Sequence, residues 1–319
     1  MIFGHDLIRT QLMDAIAQDK LHHAYLLDGP RGIGKAGFAE TMLPHILGGQ
    51  GAQGLLHSGA HPDFIRLEIE ADPKTGKMRR DITRDQVEKL LQFLIKHTSL
   101  ADRKVVLIDA ADDLNVNAAN NLLKWLEEPR PNTCLLLVAH RVDRLLPTIR
   151  SRCARLRFRP LDRSAFMQFA ESQGQDQDQE RDQALLSDPE RLFTLSGGIP
   201  GQALQLSNPK VEQAKATLSK LINTSFDTDP LALARLARSL LVSPDIEGLN
   251  MSLRLLRHSL REQAGAADNP AQANFAAIAY KETLNKDSQA KSLNIDPAQV
   301  LATLLLDLRD LARQGQTHV

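Results

Sequence analysis

The residues best placed to do chemistry sit just after Asp28. Gly29-Pro30-Arg31-Gly32-Ile33-Gly34-Lys35-Ala36 has the G-x-x-x-x-G-K spacing of a phosphate-binding loop. Glycines at 29, 32 and 34 let backbone N–H groups turn toward phosphate, and Lys35 is positioned to reach the terminal phosphates. The motif then departs from its hydrolytic form. Ala36 stands where a Ser or Thr hydroxyl would hold Mg²⁺. A second acidic position ends the apolar run Val105-Val106-Leu107-Ile108-Asp109, and Asp109 is of the right type to serve a metal. It is followed by Ala110, where a hydrolytic site needs Glu to orient water. Phosphoryl transfer depends almost wholly on positioning and charge stabilisation, so the two losses predict no intrinsic ATP hydrolysis. Two readings of the loop stay open. In one it still binds ATP or ADP, with Mg²⁺ only if nucleotide binds; in the other it is a folding relic. Neither requires a cofactor.

A second cluster of potential chemistry is the Arg-rich stretch 141–159, with seven Arg and one Asp. Residues 171–190 carry seven acids and one Arg. The whole chain, 319 residues with 39 basic and 39 acidic side chains, is formally neutral. Neutrality excludes a polycation that coats nucleic acid or an anionic membrane. It hides a pattern: net +4 over 1–160, −5 over 161–208 and +1 over 209–319. The opposite blocks read equally well as solvated surfaces and as an interaction edge. Aromatics are 4% of the chain, too few for single-strand binding by stacking. Cys134 and Cys153 have no metal-ligand spacing, so no zinc site and no disulfide framework is expected. The N-terminal segment lacks the charged-then-apolar pattern of a signal peptide, and no apolar run reaches the ~18 residues of a membrane span. A cytoplasmic protein is expected.

The elements that must position these residues alternate in type through the first 160 positions. Helical spacing marks 6–19 and 83–98, the latter with Thr83 and Gln86 as a capping box, and Leu122, Leu123 and Leu126 mark a third helix. Strand patterns cover 24–28, 63–70, 104–109 and 133–139. Near-continuous apolar strands separated by helices predict a parallel sheet covered on both faces. Residues 48–60 are Gly-rich and read as a loop. Beyond Pro160 the strand signals stop. Residues 161–206 read as short helices broken by the Gln/Asp-rich run near 174–179 and by 197–201. The last 111 residues read as all-helical, with Val300, Leu301, Leu304, Leu305, Leu308 and Leu311 as a core stripe.

Taken together, Gly4-His5, residues 23–35, His61-Pro62-Asp63-Phe64, residues 105–129 with Leu122-Leu123-Lys124 and Leu126-Glu127-Glu128-Pro129, and residues 145–153 ending Ser151-Arg152-Cys153 resemble the clamp-loader AAA+ proteins. Residues 197–204 extend the likeness weakly. The resemblance implies an α/β then all-α fold: a RecA-like AAA+ P-loop domain (1–160), a small helical lid (161–208) and a helical collar for oligomerisation (209–319). It implies a non-motor subunit of a pentameric machine that loads a sliding clamp on primed DNA. The partners would be gamma/tau-type and delta-type subunits, the clamp, and primer-template DNA within the complex, in a bacterial nucleoid-associated replisome. It places the chain within a DNA-directed DNA polymerase holoenzyme and implies that Arg152 is a finger inserted into a neighbour's ATP site. The residue-level alternatives are a loop salt bridge or a DNA-phosphate contact. Departures accompany the likeness. Ala36 and Ala110 replace the motor residues, Pro200, Gly201 and Gln202 stand where a lid Arg is usual, and residues 46–62 lack the four Cys of a zinc module. His140 stands in place of a small hydroxyl residue.

The competing reading is an ATP-hydrolysing AAA+ motor, of the gamma/tau clamp-loader type or a branch-migration helicase; Ala36 and Ala110 count against it. His22 and His23 read as turn residues, Trp125 and Cys134 as core, Glu127 and Glu128 as solvated caps, and Asp112 and Asp113 as surface charges. Cys153 is expected to be unreactive.

Overall fold

In the computed structural model the described residues are 3–48, 52–72, 76, 78–79, 81–173, 188–224, 226–241, 246–265, 270–293 and 295–316. The chain forms two compact units, residues 1–169 with 198–201, and residues 170–197 with 202–319.

The first unit is built on five parallel strands: β1 (Ala24–Asp28), β2 (Phe64–Glu68), β3 (Lys104–Asp109), β4 (Thr133–Ala139) and β5 (Ala154–Arg157). Their spatial order is β2-β3-β4-β1-β5. Sequence and position agree. The three inner strands are apolar on both faces and buried along almost their whole length. The two edge strands, Phe-Ile-Arg-Leu-Glu and Ala-Arg-Leu-Arg, intersperse exposed polar residues. Helices are α1 (Asp6–Ala17), α2 (Lys35–Leu47), α3 (Ala52–His57), α4 (Arg84–Ile95), α5 (Val116–Glu127) and α6 (Pro147–Arg150). One sheet face, including Leu26, Val106, Ile108, Leu135 and Leu137, packs with Val87, Leu90 and Leu94 of α4 and Leu122 and Leu126 of α5. Helix α2 packs on β3 and β4. Each such fully buried Leu or Val contributes about 1.5–3 kcal/mol of transfer free energy.

The capping box is present: the Thr83 N–H donates to Gln86 Oε1 at 3.0 Å. One local expectation fails. Part of the Gly-rich 48–60 stretch is helical, as α3. Ala52, Gln53, Leu55 and Leu56 are adequate helix formers, and packing of α3 against α2 leaves the two Leu half-buried. Tertiary contact overrides the local glycine signal.

The remaining helices are α7 (Arg163–Gln173), α8 (Pro189–Ser196), α9 (Pro200–Leu206), α10 (Pro209–Asn223), α11 (Pro230–Leu240), α12 (Ile246–Gly265), α13 (Pro270–Leu293) and α14 (Pro297–Gln316); the start of α7 and Pro200-Gly201 of α9 belong to the first unit and the rest to the second. Four of these helices start with one device. Asp188, Asn208, Asp229 and Asp296 cap the N–H groups of Arg191, Lys210, Ala232 and Ala298, and each is followed by a Pro that has no N–H to orphan. The α14 stripe is buried at Val300, Leu301, Leu304, Leu305 and Leu308, and half-buried at Leu311. The sequence break near 174–179, with most of the acidic block, lies outside the described residues. No helix among the described residues is long and apolar enough to cross a membrane.

Candidate functional site

Strand register gathers the candidate residues at one edge. Asp28 of β1 lies beside Ala139 of β4, and Val138 lies beside Asp109 of β3. The chain therefore leaves three neighbouring strands at one level, through Gly29, His140 and Ala110. This carboxyl edge is where open α/β sheets hold ligands.

The loop after β1 has the backbone of a phosphate cradle. Gly32 and Gly34 adopt φ of 82° and 99°, a region that disfavours side chains, and Gly34 caps the start of α2. Lys35 is 3% exposed. Its Nζ donates to the carbonyls of Gly29 at 2.7 Å and Pro30 at 2.8 Å, so the ammonium is turned back into its own loop. Burial pushes Lys35 down to about 8, against the pull of Asp112, Asp109 and Asp28. A second segment closes on the loop: the Gly201 N–H donates to the Gly32 carbonyl at 2.8 Å. Here the chain offers a backbone N–H where the resemblance would place a lid Arg.

Asp109 ends β3 as expected, but its carboxylate is already engaged. Arg66 Nη2 of β2 donates to Asp109 Oδ2 at 2.8 Å. With Ala36 and Ala110 offering no oxygen side chain, the residues present do not fit a Mg²⁺ ion. Among the described residues, no group of three or more His, Cys, Asp or Glu is arranged to hold a metal.

His140 follows β4 and lines the same edge. Burial first, and then the Lys35 charge, push its imidazole down to about 4, so the ring is neutral at pH 7. Its Nδ1 is buried with no hydrogen-bond partner among the described residues. Its backbone N–H and that of Arg141 donate to Asp112 at 2.9 and 3.0 Å. Asp112 is thus a clamp between the ends of β3 and β4, which corrects the surface-charge reading. Asp113 is half-buried, and burial, then the Asp112 charge, push its carboxyl up.

Arg152 lies just beyond α6, away from the loop in sequence and on a rim. Its Nη2 pairs with Glu127 at 2.9 Å and its Nη1 donates to the Thr148 carbonyl at 3.0 Å. Glu127 is therefore a partner of Arg152, where the sequence suggested only a solvated cap. Its side chain is 51% exposed and that of Arg152 34%, and such pairs are worth ~0–1 kcal/mol.

A family model described as DNA polymerase III, delta subunit, matches residues 4–162. DNA polymerase III subunit delta' of Pseudomonas aeruginosa is 39% identical over 224 residues, 66% of this chain and 64% of that protein. Subunit delta' of Bacillus subtilis is 34% identical over 48% of this chain and 47% of its own length. That of Escherichia coli K12 is 33% identical over 69% and 59%. The chain belongs to the AAA+ clamp-loader family. Within that family it is delta-prime-like. The matched stretches span less than two thirds of each relative's own length. A solved gamma-subunit-related protein of Thermotoga maritima overlays with a TM-score of 0.46 at 18% identity, covering 95% of this chain and 99% of that one.

For this clamp-loader chain, the unexpected residues are those that hold the loop edge in place. Asp63 is fully buried. Its carboxylate accepts the N–H groups of Ser99 (2.8 Å), Leu100 (2.7 Å) and Ala101 (2.9 Å) and faces Lys104 Nζ at 3.5 Å. Burial opposes ionisation, but those N–H groups and Lys104 hold the carboxyl below the usual range. Asp63 pins the turn that feeds β3, and so sets the register at which Asp109 ends. Arg155 of β5 pairs with Asp28. Cys134 and Cys153 are pushed up to about 12 by burial, which keeps both as thiols. Trp125 is buried. Only an acid in a strand-start context hinted at Asp63. Arg66 gave little local signal, because two of its three partners, Glu40 and Asp109, are 26 and 43 residues away.

Proposed function

We propose that this chain is a non-motor subunit of a DNA polymerase III clamp loader. It helps to load the sliding clamp on primed DNA and lends Arg152 to the ATP site of a neighbouring motor subunit. One observation carries the reading: the phosphate loop is committed to internal partners, while Arg152 is held by a weak surface ion pair and one hydrogen bond to the Thr148 carbonyl. Lys35 serves the Gly29 and Pro30 carbonyls, and Asp109 serves Arg66. Arg152, by contrast, has a half-exposed glutamate. A γ-phosphate carries more charge than Glu127 and outcompetes it in a water-poor interface. The motor partners are gamma/tau-type subunits, with a delta-type subunit, the clamp and primer-template DNA completing the assembly in the cytoplasm. The three-part division at 160 and 208 into P-loop domain, lid and collar belongs to the same reading, as does the absence of ATPase activity in the chain alone.

The test is a reconstituted complex in which DNA-stimulated ATPase is compared for wild type and Arg152→Ala. A finger supplied in trans is worth ~10³–10⁵ in rate at the site it serves. Turnover should fall clearly while assembly, followed by gel filtration, is unchanged. Stability of the isolated variant should change by less than about 1 kcal/mol. Unchanged turnover removes the finger, and sustained ATP hydrolysis by the isolated wild-type chain removes the non-motor assignment.

A further inference from the structure

The charge at Asp109 is resolved without a metal. Three carboxylates converge on the single guanidinium of Arg66, each on a different nitrogen. Asp109 Oδ2 meets Nη2 at 2.8 Å, Glu40 Oε1 meets Nη1 at 2.5 Å, and Glu68 Oε2 meets Nε at 2.9 Å. Glu40 comes from α2, Glu68 and Arg66 from β2, and Asp109 from β3. Asp109 is the most enclosed, with a side chain 18% exposed against 37% for Arg66, 48% for Glu40 and 54% for Glu68. An enclosed carboxylate is costly unless a cation lies beside it. In a metal-using phosphate loop a hydrated divalent ion shares that task; here a guanidinium that cannot be deprotonated does so. The loop lysine offers Asp109 no hydrogen bond, since Nζ is turned to the Gly29 and Pro30 carbonyls.

We infer that Arg66 is the built-in counter-charge of Asp109, and that this phosphate loop is closed to divalent cations. The consequence is a loop edge whose charge balance is fixed at folding and does not vary with Mg²⁺ or with the nucleotide state of any partner. The inference is independent of whether Arg152 serves a neighbour, since it concerns a different edge of the sheet and is read on the chain alone.

The experiment is thermal unfolding of the full chain, followed by Trp125 fluorescence, which reports the first unit. Wild type should have the same midpoint in millimolar Mg²⁺, in Mn²⁺ and in EDTA at matched ionic strength. Arg66→Met should lower the midpoint by about 2–4 °C. Asp109→Asn introduced into that variant should recover much of the loss, because it removes the most enclosed of the three uncompensated carboxylates. Arg66→Lys, which keeps the charge but not the three-way geometry, should lie between wild type and Arg66→Met, and it carries the cycle if the methionine variant does not fold. Strict additivity of the position-66 and Asp109→Asn effects overturns the inference. So does a rise in the wild-type midpoint with Mg²⁺ or Mn²⁺ that Asp109→Asn abolishes.

Discussion

Replacing Asp63 tests most directly how this fold holds its candidate site. The carboxylate has zero exposure and accepts three backbone N–H groups, from Ser99, Leu100 and Ala101. Hydrogen bonds to a charged acceptor are worth ~1.5–3 kcal/mol each, but they share one group and do not add. Lys104, 3% exposed and lying 4.1 Å from the centre of the Phe93 ring, would lose its carboxylate. Breaking a buried charge pair by removing one member costs ~3–5 kcal/mol. Asp63→Ala is therefore expected to destabilise the first unit by about 3–5 kcal/mol, a fall in midpoint of roughly 6–20 °C for a unit of this size. Urea unfolding read by Trp125, the single tryptophan, isolates that unit. Asp63→Asn should lose nearly as much, because its amide turns a donor toward N–H donors, and Lys104→Met should recover part of that loss. The pH dependence has a definite sign. The folded carboxyl titrates below its unfolded value, so its contribution is complete above the unfolded value near 3.9 and is lost as pH falls through the folded one. The gap between wild type and Asp63→Asn should close in that acid window. A loss below about 1 kcal/mol at pH 7 would refute the account of Asp63 as the pin of the β2–β3 edge.

Two further outcomes follow from the same site. A Cβ at Gly201 would lie 2.8 Å from Gly32 Cα and 2.9 Å from its carbonyl oxygen, whereas one at Gly37, exposed in α2, would meet nothing within 4 Å. Gly201→Ala should cost ~1–3 kcal/mol by overpacking, and Gly37→Ala should stabilise by ~0.5–1 kcal/mol through helix propensity, both read as urea midpoints; equal effects would discount the closure of 201 on the loop. His140, held down to about 4 when folded against about 6.5 when unfolded, takes up its proton first in the unfolded chain. Stability should therefore fall as pH drops from 6.5 to 4, and His140→Asn should flatten that slope; parallel curves would count against a neutral, enclosed imidazole.

The sequence alone determined strands β1 to β4 and the main helices between them, though not the short edge strand β5, and with them the place of the phosphate loop and its missing hydroxyl and glutamate. Those features are local. Apolar periodicity reports burial, glycine at 32 and 34 reports a backbone that other residues resist, and Ala36 and Ala110 cannot supply an oxygen in any fold. The inner strands were legible because both faces are buried, so their residues run apolar without a break. Part of the 48–60 stretch was misread because α3 is held by α2, and its glycines speak only for the isolated chain. What the tertiary structure decided is which charges meet. Glu40 and Asp109 join Glu68 on Arg66, Glu127 meets Arg152, and Asp63 reaches over to the 99–101 turn; apart from the Arg66–Glu68 neighbours, each meeting spans a separation that carries no sequence pattern. A charged side chain reads the same in sequence whether it is solvated or neutralised by a partner forty residues away. Only the parallel register of β2, β3 and β4 fixes the outcome, because it sets which carboxylates end beside the loop and which cation stands between them.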